Sequence, residues 1–208
     1  MSTKNRTDYN LNFTAASLRP ELARIVAEHY LAVGDWDRAK DEILRSNALQ
    51  CRSASSAIRL EREFRQRLER LNSEEITLLA RSAGDDRAAI AWLAALKHIS
   101  FAFGFAAEVL REKLAVHDPI LRNSDYEAYI DAKSISHARL ATLSGSSKSK
   151  IRQVLLRMLV EAGLLVAGSA LGTIRRPVLS PPVRIAITAD NPRWLAGFLV
   201  PDTEIGGL

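Results

Sequence analysis

The chain has 208 residues, 47% hydrophobic and 25% charged, which excludes a disordered chain and allows one large or two small cored domains. One cysteine, Cys51, excludes an intramolecular disulfide, and the net charge of +5 is modest. No charged stretch followed by an apolar one opens the chain, so no secretory leader is expected and the composition points to the cytoplasm.

Residues 1–12 are polar and expected to be extended. Thr14 or Ser17 is the expected cap of a first helix that runs to Val33 and stops at Gly34, with Leu18, Leu22, Ile25, Val26 and Tyr30 near the helical period. Asp35 caps a second helix ending at Ser46-Asn47. A third spans Ser53 to Leu71, its apolar stripe marked by Ile58, Phe64, Leu68 and Leu71, its arginines alternating with Glu61, Glu63 and Glu69. Ser73 opens a fourth helix, and Asp85-Asp86 caps a fifth, which Gly104 bends before Asp118-Pro119 stops the pattern. The window Ala88–Ala107 is the most apolar, yet Lys97 and His98 at its centre favour a buried core helix over a membrane span.

After Pro119 the pattern changes. A helix over Ser124–Ala132 precedes a short segment, Ser136–Leu143, then the turn Ser144-Gly145-Ser146 and a longer helix, Ser147–Ala162. Gly163 ends it, a short strand follows, and Gly168–Thr173 reads as a small-residue turn. Ile174–Leu179 and Val183–Thr188 alternate like strands, interrupted by Pro181-Pro182, and the apolar tail around Trp194, Leu195, Phe198 and Leu199 is expected to dock as a short helix. The expected fold is therefore mainly α: a helical bundle over residues 1–118, then a winged helix-turn-helix-like module with a short β-hairpin over residues 119–208.

Charge is concentrated in one segment. Between Lys133 and Arg184 nine basic side chains face a single acid, Glu161, whereas residues 1–132 hold 19 basic and 20 acidic side chains. A basic segment inside a neutral chain suits a polyanion, above all double-stranded DNA. Ile151, Val154, Leu155, Met158 and Leu159 fall on one helical face, leaving Lys148, Arg152, Gln153 and Arg157 outward. The candidate contacts are Arg139, Ser146, Ser147, Lys148, Lys150, Arg152, Gln153 and Arg157, with Arg175 and Arg176 beside the expected hairpin tip. Hydroxyls and free N–H groups at a helix start suit phosphate oxygens, and Arg152 or Gln153 has the donors to read a base edge. A serine-rich start is equally a plain cap, and a basic helix equally a solvated face; the near absence of acids favours DNA.

A second stretch, Arg52, Ser53, Ser55, Arg59 and Arg62, is a weaker candidate, because three glutamates on the same helix suggest intrahelical ion pairs. His29, His98, His117 and His137 have no metal-ligand spacing, Cys51 has no marked partner, and no nucleophile elbow, P-loop or dinucleotide fingerprint occurs. No metal, cofactor or enzymatic activity is expected.

The stretches Tyr9–Leu44, Leu71–Ala80 and Ser134–Leu165 resemble the BrxA family, the small A proteins of bacteriophage exclusion (BREX) systems. The resemblance implies a mostly helical bacterial protein, encoded beside a methyltransferase, a large ATPase and a phosphatase-like protein, in systems that mark host DNA by adenine methylation. It also implies duplex DNA binding by a non-enzymatic component, with other BREX subunits as partners. A protein-interaction adaptor and an RNA-binding helical module are the alternatives.

Overall fold

The computed structural model describes residue 11, residues 13–168 and residues 170–206. The polar opening thus lies almost entirely outside the described residues, as does residue 169 of the expected small-residue turn. The described chain is mainly helical, with one small sheet.

Helices α1 (Pro20–Val33), α3 (Ala54–Leu68) and α4 (Ser73–Arg81) pack against α5 (Gly84–His98), and α2 (Trp36–Ser46) packs on α1 and α3. Their caps follow local chemistry in part. The Asp35 side chain accepts from Arg38 N, Gly34 ends α1 in the left-handed region (φ 70), and Asn72 with Glu75 forms a capping box on α4. Neither Thr14 nor Ser17 caps α1. Pro20 presets its first turn, and the residue before it, Arg19, makes no side-chain cap. Asp85 and Asp86 likewise lie inside the first turn of α5 rather than capping it, where their charge still suits the helix dipole.

The bend expected at Gly104 falls earlier, at Ile99, where α5 meets Ser100–Ala115 at 111°. The second segment runs through α6 (Ser100–Gly104), a π-helical stretch over Phe105–Leu110 and α7 (Arg111–Ala115). Gly104 is there for close packing instead: a Cβ on it would collide with the Tyr129 hydroxyl, which donates to Phe101 O at 3.2 Å. Among the described residues no single helix is long and apolar enough to cross a membrane.

Strand β1 (Ile120–Leu121) then opens a run of helices α8 (Asn123–Ser136), α9 (Ala138–Ala141) and α10 (Gly145–Glu161), followed by β2 (Leu165–Val166) and β3 (Gly172–Ile174). The three strands form an antiparallel sheet in the order β1-β3-β2, with Ile120 opposite Thr173 and Leu165 opposite Ile174. The hairpin thus joins the expected strand after Gly163 to a second strand that begins inside the expected small-residue turn. Val183–Thr188 is helical, within α11 (Pro181–Asp190), because the tandem prolines preset a helix start; Val183, Ala186 and Ile187 are buried at helical spacing. Trp194, Leu195, Phe198 and Leu199 dock as expected, on a 3₁₀ segment (Pro192–Phe198) whose Gly197 O accepts from Trp92 Nε1 at 3.0 Å, and α12 (Asp202–Ile205) follows. Side chains from both sides of residue 118 share one buried cluster, with Trp92, Phe101 and Leu155 fully enclosed.

Candidate nucleic-acid interface

The starts of α3 and α10 are built alike. Ser53-Ala54-Ser55-Ser56 and Ser144-Gly145-Ser146-Ser147 share the pattern Ser-x-Ser-Ser. In each, the first serine accepts from the backbone N–H of the fourth residue at 3.2 Å and donates to its hydroxyl at 2.9 Å. The approach to α3 is shaped by Asn47, which ends α2 in the left-handed region and grips Cys51 through both amide atoms: Cys51 N donates to Oδ1 at 2.9 Å, and Nδ2 donates to Cys51 O at 3.1 Å.

The buried face of α3 carries more than apolar residues. Ala57, Leu60, Phe64 and Leu68 point inward, and so do Glu61 and Glu63, whereas Ile58 is half exposed (48%). Glu63 pairs with the buried Arg67 at 2.6 Å, and Glu61 with Arg65 at 2.9 Å. Burial pushes the Glu61 carboxyl upward, against the pull of Arg65. With two glutamates turned inward, Arg52, Arg59 and Arg62 are exposed and have no ion-pair partner among the described residues. The ion pairs expected to mask this stretch involve other arginines.

These two basic stretches, about a hundred residues apart in sequence, meet in space. A groove of about 530 Å³ is lined by Arg19, Arg52, Arg59 and Lys150, with Thr14, Gln50, Cys51 and Ser56 between them. It continues into a second hollow of about 240 Å³, where Lys150 and Thr14 recur beside Arg139 and Ser147. Among the described residues neither lining contains a carboxylate. Two of the lining residues, Arg19 (φ 40) and Gln50 (φ 52), hold a left-handed backbone that non-glycine residues rarely adopt.

The remaining expected contacts lie elsewhere. Lys148 and Arg152 line a different hollow, against Tyr126, Glu127 and Asp131 on α8. There Arg152 donates to Asn123 Oδ1 and lies 6.0 Å from the centre of the Tyr126 ring. Gln153 accepts from Lys150 Nζ at 3.3 Å, and Arg157 is exposed, 4.0 Å from Glu161. Ser146 and Ser55 are exposed beside their caps. Arg175 and Arg176 follow β3 rather than flank the hairpin tip; Arg175 N bonds Leu164 O, and Arg176 pairs with Glu204 of α12 at 3.0 Å. The described tip residues, 167, 168, 170 and 171, are uncharged.

Arg19 had no place among the sequence candidates. A single arginine before a proline carries no local signal, and only packing brings it to the groove. Among the described residues no group of three or more histidines, cysteines or acids is placed to hold a metal ion.

A family model described as BrxA matches residues 7–191. The BREX protein BrxA of Escherichia coli O9:H4 (strain HS) is 28% identical over 141 residues, 68% of this chain and 66% of that protein. The BREX protein BrxA of Bacillus cereus (strain H3081.97) is 24% identical over 141 residues, 68% of this chain and 70% of that one. The alignment thus spans just under two thirds of the Escherichia coli relative. In fold, the chain is similar to the crystal structure of an uncharacterized protein from Magnetospirillum magneticum, with a TM-score of 0.80 over 93% of this chain and 98% of that one, at 21% identity. Matched by its model over nearly the whole length, the chain belongs to the BrxA family.

Proposed function

We propose that this protein is a non-enzymatic, double-stranded-DNA-binding component of a bacterial BREX phage-defence system, acting alongside that system's other subunits. The observation that carries the DNA reading is a groove with no carboxylate among its described lining residues, where Arg19, Arg52, Arg59 and Lys150 converge between two serine-capped helix starts. Four cations and a set of hydroxyls in one concave path match a phosphate backbone, whose contacts position a duplex without reading its sequence. The order β1, α8, α9, α10, β2, β3 and its antiparallel sheet support a winged helix-turn-helix reading of residues 119–208, with α10 as the second helix of the pair. The uncharged hairpin tip gives the wing a lesser share of the binding than the groove.

The test is a binding titration of a labelled DNA duplex by fluorescence anisotropy at two salt concentrations. If about four phosphates are neutralised, affinity falls on the order of a hundredfold between about 50 and 200 mM salt. Absence of binding at the lower salt refutes the reading in favour of a protein-docking role. Stronger competition by RNA than by duplex DNA would shift it to an RNA-binding module.

A further inference from the structure

Glu161 is the single acid of the basic segment, and it reaches out of its own helix to a corner near the other end of the chain. Its carboxylate accepts from Leu18 N at 2.6 Å, Ser17 Oγ at 2.8 Å and Arg19 N at 3.2 Å. Arg67 grips the same corner from the carbonyl side, donating to Ser17 O at 2.8 Å and Ala16 O at 2.7 Å while Glu63 holds its guanidinium. Arg19 sits in this grip at φ 40, ψ 66, directly before Pro20. That conformation is disfavoured for any residue with a β-carbon, and a residue before proline prefers extended backbone. Such a geometry persists only where its surroundings impose it.

Resting on the DNA reading above, we infer that Glu161 is a positioning residue for nucleic-acid binding: it holds Arg19 in the wall of the cationic groove. The same helix, α10, carries Ser147 and Lys150 into that groove, so one carboxylate sets the arginine against its counterpart on the other wall. Glu161 itself is absent from the groove lining. Without its three bonds, Arg19 relaxes toward extended backbone and its side chain leaves the path.

Field electrostatics alone predicts the opposite sign. Removing an acid from a basic surface, and releasing Arg157 beside it, should tighten binding to a polyanion. The full-length chain carrying Glu161→Gln, nearly the same shape but one hydrogen-bond acceptor short, separates the two. Its affinity for a labelled DNA duplex is expected to fall about threefold to tenfold, and its salt slope by about one, as for Arg19→Ala. Added to Arg19→Ala, Glu161→Gln should weaken binding no further. Binding as tight as wild type, or a full further loss in the Arg19→Ala background, overturns the role. Circular dichroism melts confirm that each variant folds. Should Glu161→Gln not fold, Ser17→Ala removes one of the three bonds without changing charge: weaker binding supports the role and unchanged binding overturns it. If the wild-type chain binds no duplex, the DNA reading itself fails. If it binds and the Glu161→Gln slope is unchanged, only the positioning role fails.

Discussion

The Lys97 ammonium lies 2.7 Å from the Glu75 carboxylate in the interior, with Lys97 6% and Glu75 0% exposed. Glu75 also accepts from Asn72 N at 2.8 Å, and Lys97 reaches Asp190 on α11 at 2.9 Å, so one lysine ties α5 to both α4 and α11. This is why the most apolar stretch of the chain tolerates a central lysine: its charge is paired inside the fold. Lys97→Met leaves the Glu75 carboxylate buried and uncompensated, and should destabilise the protein by about 3–5 kcal/mol in urea denaturation. Adding Glu75→Gln to Lys97→Met removes the orphaned charge and should recover part of that loss.

Gly104 and Tyr129 give a prediction that depends on the two residues together. Gly104→Ala alone drives a methyl group into the Tyr129 hydroxyl, an overpacking that costs about 1–3 kcal/mol. In a Tyr129→Phe background the nearest ring carbon is 3.6 Å away, an ordinary contact, and the only tighter approach left is the flexible Glu108 carboxylate at 3.2 Å. Thermal melts should therefore show Gly104→Ala far less harmful in the double variant than in the single one.

His98 makes stability depend on pH. Burial, then the charges of Arg67 and Arg70, lower its imidazole from the ordinary 6.5 to about 4. Between those values the unfolded chain binds a proton that the folded chain does not. Stability contributed by the neutral ring is present above pH 6.5 and is lost as pH falls toward 4. The melting temperature should drop across this window, and His98→Gln should flatten that part of the profile.

The groove and the basic segment make different predictions about which cations matter. Arg59→Ala and Lys150→Ala should each weaken binding to duplex DNA and lower the salt slope by about one. Arg176→Ala, which removes one of two arginine partners of Glu204 outside the groove, should change the affinity less than about twofold. Equal losses at all three positions in an anisotropy titration would favour a diffuse basic surface over the groove.

Helical class, most element positions, the docked tail and the inward face of α10 follow from local order along the chain, because periodicity, proline and glycine stops, and most caps act over a few residues. Ile151, Val154, Leu155, Met158 and Leu159 are all buried as their spacing requires. The serine-rich helix starts and the concentration of charge were legible for the same reason. Tertiary structure decided where each charge points. It turned Glu61 and Glu63 inward, tied Glu161 to Leu18, turned Arg152 toward α8 and brought Arg19 and Arg59 beside Lys150. No pattern along the chain encodes that meeting, since burying a carboxylate requires a donor supplied by the folded neighbourhood, sometimes from more than a hundred residues away. The basic residues were determined by sequence; the groove was made by the partners that packing gave their acids.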